Sequence, residues 1–171
     1  RDIVRGVMDG STDLGIIAGP IKADGLQVIH FSTDQLILVT PLDHPLAARK
    51  KVKLTETLAY PHIGLHEGTT LLRFLNEQVA LSGQTLNMRI KVYSFEAMCR
   101  MVEAGVGLAI LPESSARRHQ QTMGLHIVEL DEPWRVRERS ILVRDLEALP
   151  AVIRALITIF LTQTDKAQRR S

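Results

Sequence analysis

The chain has 171 residues, 45% of them hydrophobic and 23% charged, with a formal net charge of +2. That length suits one domain or two small lobes, and the apolar share is enough to bury a core. So weak a positive charge gives no argument for nucleic-acid binding, and a single cysteine excludes both an internal disulfide and a two-thiol switch within one chain.

No apolar run is long enough to span a membrane; the longest, 152–161, is short and broken by Arg154. No signal peptide is visible, and a reducing cytoplasm fits the lone thiol. The N-terminus lacks a methionine and opens directly on a helical pattern, so the chain reads as a fragment whose beginning has been lost.

In chain order, Ile3, Val4, Val7 and Met8 fall at helical spacing, and Gly10 sits where a C-terminal cap belongs. The run "DLGIIAG" (13–19) is expected to be a buried strand, ended by a turn at Gly19-Pro20. "LQVIHF" (26–31) and "QLILVT" (35–40) predict two further strands. "PLDHPLAARK" reads as a connection, and "LTETLA" (54–59) as a short helix ended by Pro61. "HIGL" (62–65) is strand-like, "HEGTT" (66–70) is a polar loop, and Leu71, Leu72, Leu75 and Val79 mark a helix stopping at Ser82-Gly83.

"LNMRIKVYS" (86–94) alternates, with Met88, Ile90 and Val92 on one face and Arg89 and Lys91 on the other, as in a half-buried strand. "SFEAMCRMVEAGVGLAILPE" (94–113) supplies a helix and then a strand. "ESSARRHQQT" (113–122) is a polar turn or short helix. "LHIVEL" (125–130) and "RSILVR" (139–144) predict strands separated by the loop "DEPWRVR". Val152, Ile153, Leu156, Ile157, Phe160 and Leu161 form one apolar helical stripe, with Pro150 near its start. "TQTDKAQRRS" (162–171) reads as a frayed tail whose Lys166, Arg169 and Arg170 form a solvated end rather than a DNA arm. Strands alternating with helices predict an α/β fold with largely parallel sheets.

Several chemistries are tempting and fail. Gly105-x-Gly107 follows a helix and precedes a strand, the reverse of a dinucleotide turn, so Gly105 reads as a left-handed helix cap and Gly107 as a tight-packing position. Cys99 neighbours Arg100 but lies on a helix whose Phe95, Met98, Met101 and Val102 point to the core, which predicts an inert buried thiol. His62 and His66 lie in and just beyond a strand, roughly 13 Å apart at about 3.3 Å per residue, too far to share a metal ion. The metalloprotease and nucleophile-elbow patterns are absent, and His66-Glu67 has no partner nucleophile, so no enzyme is expected. No cofactor is implied.

What remains is loop chemistry. In open α/β sheets ligands bind beyond the carboxyl ends of strands, where helix N-termini offer free N–H groups. Gly19-Pro20, the loop of His66, Glu67, Gly68, Thr69 and Thr70, and the pair Ser94-Phe95 occupy such positions. Ser94 is a helix N-cap candidate, and Thr69 and Thr70 could cap as well.

Taken in order, "DGSTDLGIIAG", "DQLILVTPLDHPLA", "PHIGL", "SFEAMCRMVEAGVGLAILPE" and "RERSILVR" with a closing amphipathic helix resemble the effector-binding domain of a LysR-type transcriptional regulator over nearly the whole chain. The resemblance implies an α/β, two-lobed, periplasmic-binding-protein-like fold with a small-molecule effector in the cleft between lobes. It implies lobe one at 1–41 plus 137–171, lobe two at 42–136, and crossings near 39–41 and 135–137. Effector contacts then map onto Gly19, Pro20, Ser32, Thr33, His66, Glu67, Gly68, Thr69, Thr70, Ser94 and Phe95. Hydroxyls and helix-terminal amides favour a carboxylate or another small anion.

The family's helix-turn-helix is missing, as are the opening strand, helix and strand of lobe one with their share of effector contacts. DNA is therefore expected to be reached only through that missing domain, in a cytoplasmic homodimer or homotetramer. The alternative is a stand-alone solute-binding protein of a transport system.

Overall fold

The computed structural model describes residues 2–168, with side chains described for 3–163. The chain forms two compact units, one made of the residues up to Asp34 together with those from Val136 onward, the other of Gln35–Arg135.

In the first unit, α1 (Asp2–Asp9) leads into β1 (Leu14–Ala18), which pairs antiparallel with β8 (Val136–Val143) from Leu14↔Val143 to Ala18↔Arg139. The first half of β2 (Gln27–Pro41) also belongs here, and β8 lies between β1 and β2 in the sheet. Phe31, Ile141, Val143, Leu149 and Ile157 form the core, closed by α6 (Ala151–Gln168). Arg144 ties the end of α1 down: its Nη1 donates to the Val7 carbonyl at 2.6 Å and to that of Thr12 at 3.3 Å. A cation on the free carbonyls of a helix C-terminus is favourable both as charge and as donor. Arg144→Met keeps the stem and loses the fork, and is expected to cost about 1–2 kcal/mol, read as a lower midpoint in chemical denaturation.

In the second unit the strand run "LILV" is apolar throughout because β2 is covered on both faces. Leu36 and Leu38 point into one core with Val52, Leu75, Val79 and Ile110, while Ile37 and Val39 point into another with Ile63, Met98, Val102 and Leu111. Here β2 pairs antiparallel with both β6 (Leu108–Pro112) and β7 (Leu125–Leu130). β4 (His62–Leu65) runs parallel to β5 (Met88–Val92) and to β6, and the short β3 (Lys51–Val52) runs parallel to β7. The helices are α2 (Leu54–Thr57), α3 (Thr70–Ala80), α4 (Phe95–Glu103) and α5 (Glu113–Gln120). Trp134 packs edge-on against Phe74 of α3, with ring centroids 5.4 Å apart.

Several sequence expectations need correction. The two strands at 26–31 and 35–40 are one 15-residue strand, because Ser32-Thr33-Asp34 contains no glycine or proline to break it. The sheets are mixed rather than largely parallel: β4 runs parallel to β5 and β6, and β3 to β7, whereas β1 pairs antiparallel with β8, and β2 pairs antiparallel with both β6 and β7.

β1 is not buried. Among the described residues it pairs only with β8, and Ile16 is 47% exposed. The α6 stripe divides, with Ile153, Ile157 and Leu161 in or against the core but Val152 75% and Leu156 57% exposed, since the apolar arc is wider than the face the unit covers. Residues 162–168 continue α6 rather than fray. The side chain of Lys166, and Arg169 and Arg170 altogether, lie outside the described residues. Among those residues no helix is long and apolar enough to cross a membrane.

Candidate functional site

The carboxyl ends of the adjacent parallel strands β4 and β5 each feed a helix. After β4, the loop reaches Thr69, whose hydroxyl accepts the Leu72 N–H at 3.4 Å and donates to the His66 carbonyl at 3.2 Å, starting α3; Thr70 is its first residue. After β5, Ser94 Oγ accepts the Ala97 N–H at 3.1 Å and starts α4. Both hydroxyls cap, as their sequence positions predict, and two helix N-termini rise from neighbouring strands.

The rest of this rim is held by partners far apart in sequence. The His66 ring stacks on Tyr93, with centroids 4.8 Å apart and planes at 26°. Lys91 Nζ donates to Glu67 Oε1 at 2.5 Å, and that bond with its charge holds the Glu67 carboxyl below its usual pKa. The ion pair cancels a negative charge that would otherwise repel an anion. Glu67, Gly68, Thr69, Leu72, Arg73 and Lys91 line an open groove of about 520 Å³. Ser94 is exposed beside Tyr93, and Phe95 is half-buried against the core of Met98 and Cys99. Of the sequence-predicted contacts in this unit, then, Glu67, Gly68 and Thr69 line the groove, while His66, Thr70, Ser94 and Phe95 are not part of its lining.

In the other unit, Gly19 turns the chain with φ +93° and donates its N–H to the Glu138 carbonyl at 2.9 Å; Pro20 follows, exposed. Arg137 Nη2 donates to the Ala18 carbonyl at 3.1 Å, and its guanidinium lies against Gly19, 3.1 Å from where a Cβ would stand. Ser32 is buried and accepts from Arg139 Nε at 2.7 Å, whereas Thr33 is exposed, its Oγ1 3.3 Å from His30 Nε2.

Lys91, Tyr93, Arg137 and Arg139 are not among the sequence-predicted contacts. A signal for Lys91 was present in the strand alternation, which puts it on the polar face; nothing local marks the others.

Cys99 is fully buried, and burial pushes its thiol up to about 11, too high for a reactive thiolate. His62 is buried in the core, its Nε2 donating to the Thr57 carbonyl at 3.1 Å. Among the described residues no cluster of His, Cys, Asp and Glu could hold a metal ion.

Residues 1–165 match the family described as the LysR substrate binding domain. The chain belongs to that family. A probable RuBisCO transcriptional regulator of Synechocystis is 25% identical over 175 aligned residues, covering 96% of this chain and 51% of the relative. The chain spans about half the length of the curated relatives it matches.

Two solved LysR-type effector domains share the fold. The Synechocystis CcmR regulatory domain in complex with 2-PG has a TM-score of 0.78 at 18% identity, covering 95% of this chain and 78% of that one. The effector binding domain of QuiR in complex with shikimate has a TM-score of 0.71 at 18% identity, covering 96% and 78%. The LysR substrate-binding domain described here thus has the α/β, two-lobed, periplasmic-binding-protein-like fold. Its relatives are transcriptional regulators, which does not favour the transport alternative.

Proposed function

We propose that this LysR substrate-binding domain is the effector-sensing and oligomerisation module of a cytoplasmic transcriptional regulator, and that its effector is a small anion. The parent protein reaches DNA through a separate domain and assembles as a homodimer or homotetramer. The observation that carries the reading is the pair of hydroxyl-capped N-termini of α3 and α4 at the ends of β4 and β5, with the nearby carboxylate of Glu67 neutralised by Lys91. The complexes of related folds with shikimate, a carboxylate, and with 2-PG support an anionic ligand. Regulation is a population shift: the effector acts by binding one arrangement of the parent better than another. Nothing in this reading calls for catalysis.

A thermal-shift panel of shikimate, 2-PG, aromatic acids, amino acids and phosphate tests it. A ligand at 100 times its Kd adds about 2.7 kcal/mol to the folded state, and a chain of this size then melts several degrees higher. Calorimetry on Ser94→Ala with the hit should show several-fold weaker binding, together with about 1 kcal/mol of lost stability from the missing cap. Unchanged affinity removes Ser94 from the site, and a panel with no hit contradicts the effector reading.

A further inference from the structure

Ser32 belongs to the expected effector contacts, yet its hydroxyl is not presented to a ligand. The residue is 2% exposed, and its Oγ accepts from Arg139 Nε at 2.7 Å. The same guanidinium lies over the Phe31 ring, its Cζ 5.6 Å from the centroid. Phe31 is fixed in turn by an edge-on contact with Phe160 at 4.8 Å. Arg139 is therefore held at its Nε and across one flat face, and a planar fork held in this way has lost most of its freedom before any ligand arrives.

Among the described residues the outer edge of that fork, Nη1 and Nη2, has no acidic partner. None of the ion pairs among the described residues includes Arg139. A half-buried guanidinium without a counter-charge is costly, and its two parallel N–H groups match the two oxygens of a carboxylate or phosphate. Arg137 lies two residues along β8 and so on the same face, roughly 7 Å away along the strand. Its Nη2 donates to the Ala18 carbonyl, beside the Gly19 turn.

We propose that Arg139 is an anion receptor for the effector, taking a carboxylate or phosphate on its outer N–H pair, and that Ser32 is a positioning residue which aims the fork. This rests on the effector-binding reading above, and it moves the recognition from the hydroxyl that the sequence suggests to an arginine that it does not.

The direct test follows the arginine Nε–H resonances of the 171-residue chain by NMR during titration with sodium sulfate, sodium phosphate and sodium acetate. Arg139 is expected to shift saturably, and the acetate and phosphate arms separate carboxylate from phosphate preference. In parallel, the thermal-shift hit is titrated into variants by calorimetry. Arg139→Gln should weaken it roughly 10- to 100-fold, the size of charge-assisted hydrogen bonds. Arg139→Lys keeps the charge but not the fork and should recover only part. Ser32→Ala should weaken binding several-fold and shift the Arg139 resonance in the free protein, and Ser32→Thr, which keeps the hydroxyl, should restore both.

An Arg139 resonance unmoved by all three salts overturns the proposal. So does a hit that binds Arg139→Gln as tightly as the parent chain, and that result leaves the effector reading standing. A saturable Arg139 shift with no effector found in the panel has the opposite meaning: the anion site stands and the effector reading fails.

Discussion

Gly107→Ala is expected to lower the stability of the second unit by about 3 kcal/mol, the upper end of the usual cost of overpacking, and more than its exposed neighbour Gly105→Ala. A Cβ on Gly107 would stand 2.6 Å from the Pro61 carbonyl oxygen and 3.1 Å from its carbon. Those are backbone atoms with no rotamer to yield. The same oxygen accepts the Leu108 N–H at 2.9 Å, where β4 and β6 begin to pair, so relieving the clash disturbs the ladder as well. Gly105 has open space around its Cβ position but a φ of +78°, so its substitution costs only the left-handed penalty of about 1–2 kcal/mol.

Asparagine separates the two causes. It tolerates the left-handed region, so Gly105→Asn should be milder than Gly105→Ala, whereas Gly107→Asn should be no better than Gly107→Ala. Melting curves of the four variants check this order, and a Gly107→Ala chain melting with the parent would show that the corner relaxes freely.

The second large effect is on pH. His62 is 1% exposed, and burial holds its imidazole below the ordinary pKa of 6.5, with the Thr57 hydrogen bond a smaller opposing influence. The unfolded chain therefore takes up a proton near pH 6.5 that the folded chain still refuses. Stability is full above that pH and falls as the pH drops from there through the folded pKa, by at most about 1.4 kcal/mol per pH unit for one group. His44, held low by partial burial against the opposing charge of Asp43, adds a slope of the same sign. Carboxylates with lowered values, Glu56 and Glu67, titrate at lower pH. Denaturation midpoints between pH 7.5 and 5.5 should fall for the parent chain. They should be markedly flatter for His62→Gln, whose amide can still donate to Thr57. An equal slope in both would assign the effect elsewhere.

What could be foreseen from the sequence follows distance along the chain. The caps at Thr69 and Ser94, the left-handed Gly105, the crowded Gly107 and the inert Cys99 are all decided within a few residues, by periodicity and by the needs of a helix end. The pairings of Arg139 with Ser32 and of Lys91 with Glu67 join residues 107 and 24 positions apart, and no local pattern encodes them. Strand direction is hidden from the sequence for the same reason. Alternation shows that a segment is extended but carries nothing about which neighbour it finds unless a helical crossover dictates it. The family resemblance filled part of this gap, suggesting loops that the structure of the second unit places on one rim, but it gave no hint that the Ser32 hydroxyl is spent inside the protein.

The Phe74–Trp134 contact has an optical consequence. Trp134 is the chain's one tryptophan, and both tyrosines, Tyr60 and Tyr93, also lie within Gln35–Arg135. Every near-ultraviolet chromophore stronger than phenylalanine is thus on one unit, and the other is dark. Intrinsic emission will follow the melting of Gln35–Arg135 alone, while far-ultraviolet dichroism follows the backbone of both. Overlaid on one sample, the two signals tell a single cooperative transition from two independent ones without a label.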